Sequence, residues 1–173
     1  MRYVWGFTLI EVLISIAILS VIMGVSVNSY RDFQAGQELE QAAQTLRTNL
    51  RFAQSQAFGG VKPTACTTTL IGWYARTQNG STQYTINYRC GDGSKGEVRQ
   101  HEQYRAVKLV QDMTIVVSPN RDILFQPVNR DTVFLANAEM EDPPFSAGTD
   151  FVITLRKNGK DKIVTVRSNG DIL

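Results

Sequence analysis

Histidine is nearly missing from this chain: His101 is the only one in 173 residues. Cysteine occurs twice, as Cys66 and Cys90, and no C-x-x-C is present. Two thiols and one imidazole are too few for a zinc-type centre, so no metal site is expected. G-x-S-x-G, the phosphate-binding P-loop and H-E-x-x-H are all missing. His101 stands in the polar run Arg99-Gln100-His101-Glu102-Gln103 and reads as a solvated loop or edge residue rather than a base. Asp92-Gly93-Ser94-Lys95-Gly96-Glu97 is Gly-rich and acidic, but its spacing departs from a calcium loop and Lys95 sits inside it, so it reads as a turn. No catalytic residue and no cofactor is expected, and the chain does not read as an enzyme. The net charge of +2 is too close to neutral to imply a nucleic-acid or acidic partner by itself. Pro and Gly are not in excess, and no internal repeat or low-complexity tract occurs, so a folded chain is expected.

Charge is missing from one long stretch. Phe7 to Val27 carries a single ionisable side chain, Glu11. The run is about 21 residues, or roughly 30 Å as a helix, which is enough to span a bilayer. A cleaved secretory signal would have a shorter apolar core with a small-residue site after it. Here Asn28-Ser29-Tyr30-Arg31 follows, and the only small residue at a natural break is Gly6, before the run. A retained membrane helix is therefore expected, with Arg2 favouring a cytoplasmic start. A bare carboxylate in hydrocarbon is costly and usually functional, so Glu11 needs a reason.

The opening Met1-Arg2-Tyr3-Val4-Trp5-Gly6, followed by Phe7-Thr8-Leu9-Ile10-Glu11, resembles the type IV prepilin signal. That resemblance implies a leader ending at Gly6, cutting by a prepilin peptidase between Gly6 and Phe7, and methylation of the new terminal amine on Phe7. It also implies that Glu11, with Thr8 beside it, serves assembly, the Glu11 carboxylate of one subunit meeting the terminal amine of its neighbour. Two ions paired in an apolar core offset part of each other's desolvation, whereas one alone costs several kcal/mol. The alternative is a Glu whose carboxylate reaches back to the interface.

The helical pattern continues beyond Val27. Leu39, Ala43, Leu46, Leu50, Ala53 and Ala57 recur at steps of four and three, an apolar stripe on one helix face, with Glu38, Gln41, Gln44, Arg47, Arg51 and Gln54 between them. Gly59-Gly60 supplies a stop. One helix from about Phe7 to Phe58 would measure roughly 75–80 Å. Its stripe suits packing on a following domain better than a coiled coil. Relatives of this kind often carry a Pro in the outer part of the span; here there is none, and Gly24 and Gly36 are the soft points.

After Gly60 the period becomes two. Tyr84, Ile86, Tyr88 and Cys90 fall on one face, as do Met113, Ile115 and Val117, then Ile123 and Phe125, then Phe151, Ile153 and Leu155. Asn79-Gly80, Asn158-Gly159 and Asn169-Gly170 are turn signals, and Asn158-Gly159 suits a hairpin. Asn79-Gly80-Ser81 also fits a glycosylation acceptor, but the turn reading is preferred. Glu139 to Gly148, with Pro143-Pro144, reads as a surface loop. The expected fold is α+β: a long amino-terminal helix packed on an antiparallel β-sheet or sandwich domain, type IV pilin-like. The expected organisation is a leader over 1–6, a membrane or filament-core helix over 7–28, its amphipathic continuation over 29–58, and a β domain over 61–173.

Leu46 to Ala57, a strand expected to contain Cys66, and the ending Val166-Arg167-Ser168-Asn169-Gly170-Asp171-Ile172-Leu173 are similar to GspH/FimT-type minor pilins and pseudopilins. The resemblance implies a filament subunit of a type IV pilus or type II secretion system. Its partners would be prepilin peptidase, other pilin or pseudopilin subunits, and the bacterial inner membrane before assembly. It would start single-pass with a cytoplasmic amino terminus and end in a periplasmic or cell-surface filament. Export of this kind ends where disulfides persist, so Cys66 and Cys90 are expected to be bridged, with two buried free thiols as the alternative. Some FimT-type pilins bind DNA through a basic tail. Lys157, Lys160, Lys162 and Arg167 are candidate contacts here, but Asp171 stands where those relatives show a Gly-Arg pattern. DNA uptake, or a tip subunit that binds a surface or an export substrate, is thus the competing expectation.

Overall fold

The computed structural model describes residues 6, 8–91, 98–127, 132–135 and 150–173. Its elements are α1 (Leu9–Phe58), β1 (Thr69–Thr77), β2 (Gln83–Gly91), β3 (Val98–Lys108), β4 (Met113–Val116), β5 (Arg121–Phe125), β6 (Thr132–Leu135), β7 (Phe151–Lys157) and β8 (Lys160–Val166). This is the expected α+β, type IV pilin-like order of a helix followed by antiparallel sheets. The chain divides into two compact units, Met1–Gln37 and Glu38–Leu173.

In the amino-terminal unit α1 runs through Gly24 and Gly36 without interruption. Leu9, Ile10, Leu13, Ile14, Leu19 and Met23 are all exposed. Two hydroxyls in this apolar run have internal partners: Ser15 Oγ donates to Glu11 O at 2.8 Å, and Ser20 Oγ donates to Ile16 O at 2.8 Å. Such back-bonding satisfies a polar group that an apolar environment cannot. No helix among the described residues is long and apolar enough to cross a membrane; the described apolar side chains from Leu9 to Met23 fall short of the ~20 residues a bilayer needs.

In the second unit the apolar stripe is the core of the domain. Leu39, Ala43, Leu46, Leu50, Ala53 and Ala57 are buried and share one cluster with strand residues of both sheets. Each fully buried Leu contributes about 1.5–3 kcal/mol relative to exposure. α1 ends as Gly59-Gly60 predicts. Gly60 takes a φ of 60°, its N–H donates to Ala57 O at 3.0 Å, and Val61 N–H donates to Gln56 O at 2.9 Å. Those two bonds satisfy carbonyls that the last turn leaves without partners.

One sheet has the order β3-β2-β1-β5-β6 and the other β4-β7-β8, with every pairing antiparallel. Alternation decides the faces. Tyr84, Ile86, Tyr88 and Cys90 of β2, Ile123 and Phe125 of β5, and Phe151, Ile153 and Leu155 of β7 all enter the common core. Tyr74 and Leu124, one step out of phase, form a second small cluster with Leu135. Loop contacts join the sheets: Gly80 N–H donates to Ile115 O at 2.8 Å, Ile115 N–H donates to Ser81 O at 2.9 Å, and Thr132 N–H donates to Ser168 O at 2.8 Å. Asn158 and Gly159 have φ of 51° and 74° and leave Lys157 paired with Lys160. Positive φ at both central residues suits the twist of a two-residue hairpin, and Asn-Gly supplies it cheaply.

One expectation is corrected. Cys66 is not in a strand; it follows a turn, its N–H donating to Pro63 O at 2.9 Å, and β1 starts only at Thr69. Pro63 has no N–H, and Lys62-Pro63 breaks the pattern before a ladder can form. The loop over Glu139–Gly148, the turn over Asp92–Glu97, Arg2 and Phe7 lie outside the described residues.

Candidate functional site

Three groups of residues carry the expectations: the amino terminus, the cysteine pair and the basic residues of the last two strands. At the amino terminus Thr8 precedes the first helical residue, Leu9, and Glu11 is the third residue in. Thr8 Oγ1 accepts from Glu11 N–H at 3.4 Å. The Glu11 Oε2 in turn accepts from Thr8 N–H at 3.4 Å and from Thr8 Oγ1 at 3.3 Å. This is a capping box, T-x-x-E, in which side chain and backbone satisfy each other's first-turn donors. Sequence reasoning missed it, although the Thr8-Leu9-Ile10-Glu11 spacing was the signal. Glu11 therefore has a local role that needs no partner molecule. Gly6 is exposed, and a Cβ there would meet nothing within 4 Å.

Cys66 and Cys90 form a disulfide, with Cα atoms 5.9 Å apart. The bridge ties the connection after α1 to the end of β2, next to the core. A group of aromatic residues also belongs to this domain. Trp73 meets Phe52, Tyr88 and Tyr104 at centroid distances of 6.0, 5.7 and 5.0 Å, and its indole N–H donates to Val61 O at 3.0 Å. Phe52, which also stacks on Tyr104 at 5.8 Å, docks α1 onto β1 and β3. A buried polar link crosses the same interface. Asn49 Nδ2 donates to the Tyr84 hydroxyl at 2.7 Å, and burial pushes the Tyr84 phenol above its ordinary value.

Of the basic residues near the carboxyl end, Arg156, Lys157, Lys162 and Arg167 each have an acidic partner. Lys157 donates to the carboxylate of Glu38 and to Gln111 O. Lys162 meets Glu40 at 2.6 Å. Arg156 grips Asp161 at 2.7 and 2.8 Å, and Arg167 lies 3.7 Å from Asp150 and 4.0 Å from Asp171. Lys160 also has an interaction partner. The Lys162 ammonium, and then the Gln44 amide, hold the Glu40 carboxyl below its ordinary value; the Arg156 guanidinium does the same to Asp161. A cavity of about 620 Å³ beside Gly60, Lys62, Leu70, Ile71 and Pro127 presents no acid–base pair among its described residues. No group of three or more His, Cys, Asp or Glu among the described residues is arranged to hold a metal.

Residues 6–27 match the prokaryotic N-terminal methylation motif. The chain has a type IV prepilin-like amino terminus. The match covers Gly6, the capping box and the apolar run, and stops before the stripe that builds the domain core. No curated protein and no solved structure matches the chain. A prepilin-like motif of this kind supports peptidase processing, membrane anchoring and then association with other pilin-like subunits.

Proposed function

We propose that the protein is a minor pilin or pseudopilin, a structural subunit of a type IV pilus or type II secretion filament. Prepilin peptidase cuts it between Gly6 and Phe7 and methylates Phe7. It waits in the bacterial inner membrane as a single-pass protein and then enters the filament through α1. The observation that carries this reading is the methylation motif over 6–27 leading into one helix whose far half is the core of a β domain. The apolar side chains from Leu9 to Met23 are exposed, as a surface meant for lipid or sister helices must be. Cutting after Gly6 leaves the new amine four residues from Glu11. The capping box holds that carboxylate at the helix start, ready for a neighbour's amine, and pairing offsets the cost of leaving either charge alone among apolar groups. A DNA-binding role through Lys157, Lys160, Lys162 and Arg167 is less favoured, because acids already engage Lys157, Lys162 and Arg167.

Mass spectrometry of protein recovered from a host with prepilin peptidase is expected to find a species beginning with N-methylphenylalanine at position 7. An intact Met1 terminus in such a host overturns the proposal. Glu11→Ala is expected to leave cleavage intact and reduce filament incorporation; unchanged incorporation removes the pairing role. Gel shifts of the protein at low salt test the DNA reading, and retardation that is lost on replacing Lys160, Lys162 and Arg167 would revive it.

A further inference from the structure

We infer that Asn158, at the tip of the β7–β8 hairpin, is a site of spontaneous deamidation by water, and that the fold reserves this reaction for one of three Asn-Gly pairs. The chain carries Asn79-Gly80, Asn158-Gly159 and Asn169-Gly170. The reaction needs a carboxamide free to turn and a following main-chain nitrogen free to attack it. Glycine in second place leaves that nitrogen unobstructed and lets the backbone rotate. All three asparagines are exposed, so exposure does not separate them. Hydrogen bonding does. Gly80 N–H donates to Ile115 O at 2.8 Å, and Asn79 Oδ1 accepts from Val117 N–H at 3.3 Å. Gly170 is buried, and its N–H donates to Arg167 O at 3.0 Å. The Asn169 side chain is held twice by Asp171: Nδ2 donates to Oδ2 at 2.8 Å, and Oδ1 accepts from the main-chain N–H at 3.0 Å. Neither the Asn158 carboxamide nor the Gly159 N–H has a hydrogen-bond partner among the described residues. Approach is open as well, since a Cβ built on Gly159 would meet nothing within 4 Å.

The steps balance with water as the only co-reactant. Local opening of the turn brings the Gly159 nitrogen onto Asn158 Cγ. The new N–Cγ bond forms, the Cγ–Nδ2 bond breaks, and ammonia leaves with the proton of the attacking nitrogen. A cyclic succinimide remains. Water then breaks one of its two carbonyl–nitrogen bonds. Breaking the bond at Cγ gives aspartate; breaking the bond at the main-chain carbonyl gives isoaspartate, whose main chain runs through the former side-chain methylene. The two products differ in what the hairpin can accept. Asn158 and Gly159 have φ of 51° and 74° and close Lys157 onto Lys160. Aspartate tolerates a positive φ and keeps that turn. Isoaspartate lengthens the main chain, so a two-residue turn of this geometry no longer fits. Lys157 is also the residue that meets Glu38 of α1 and Gln111 O. Isoaspartate at 158 therefore loosens the contact between the hairpin and α1, and aspartate does not. The site rests on the hairpin alone and stands whatever becomes of the filament reading.

The test incubates the full-length protein in detergent micelles, in mildly alkaline buffer made with heavy-oxygen water, and follows all three Asn-Gly peptides by mass spectrometry. The peptide holding Asn158 is expected to show the exchange of an amide for a hydroxyl, to take up one heavy oxygen, and to resolve into aspartate and isoaspartate forms. Its rate is expected to exceed those at Asn79 and Asn169 by about tenfold or more, because each of those sites must first give up two or more hydrogen bonds. In strong denaturant the three rates are expected to converge, which separates the effect of the fold from that of local sequence. Asn158→Gly, which keeps a residue suited to the turn and removes the carboxamide, is expected to abolish the signal. Hydrogen exchange at the Lys160 amide is expected to rise in the isoaspartate form and to stay near wild type in Asn158→Asp. Comparable rates at the three sites in the folded protein overturn the proposal. An unaltered Asn158 after the denatured sample has converted overturns it too, as does a difference between sites that persists in denaturant.

Discussion

Thr8 and Glu11 show how a short motif works within the chain: each satisfies a first-turn donor of the other, which closes the first turn of α1. Gly72 is constrained from outside. A Cβ there would lie 2.3 Å from Phe125 O and 3.0 Å from Leu124 Cδ1, because β1 and β5 approach closely beside an irregularity between Leu70 and Gly72. Gly72→Ala is expected to cost about 1–3 kcal/mol, measured as a lower denaturation midpoint, since main chain must move; wild-type stability would show that the strands part freely. The exposed acids give a pH dependence with a definite sign. Glu40 and Asp161 are held below their ordinary values of 4.5 and 3.8 in the folded chain. The unfolded chain therefore takes up their protons first as pH falls. Their contribution is fully present above about pH 4.5 and is lost progressively at lower pH. Melting temperatures from about pH 6 to pH 2 are expected to fall less steeply in Glu40→Gln with Asp161→Asn, by a small, salt-sensitive margin because both groups are exposed. Identical slopes would leave the pairs without a role in acid stability.

At the scale of elements, α1 has two surfaces with different work. The stripe from Leu39 to Ala57 was legible because a 3.6-residue period follows from helix geometry alone. Its burial in the structure answers the choice between coiled coil and domain packing. Leu50→Ala is expected to destabilise the Glu38–Leu173 unit by about 2–5 kcal/mol, read from denaturant unfolding, whereas Leu19→Ala, on the exposed run, leaves that unit's stability unchanged. A large effect of Leu19→Ala on it would mean the two units do not unfold separately. The hairpin at Asn158-Gly159 was equally legible, since the turn chemistry is local. The place of Cys66 was not. Its segment reads as polar and β-branched, and only the turn made by Pro63 shows that pairing begins later, at Thr69.

At the scale of the whole molecule, the Cys66–Cys90 bridge closes a loop with a sequence separation of 24 and holds the connection after α1 against β2. Replacing both cysteines with Ala is expected to lower stability by about 3 kcal/mol through a freer unfolded chain, with reductant lowering the wild type to a similar midpoint. No change on reduction would show that the core alone holds that connection. The sequence by itself determined the amino-terminal methylation motif, the apolar run, the helical stripe, the alternating strands and the turn at Asn158-Gly159. Each depends on residues within a few positions of one another, where covalent geometry sets the period. Tertiary structure alone decided which charges have partners. Lys157 and Glu38 are 119 residues apart in sequence yet in contact. Such pairings depend on distance through space, which folding brings about and no local pattern encodes.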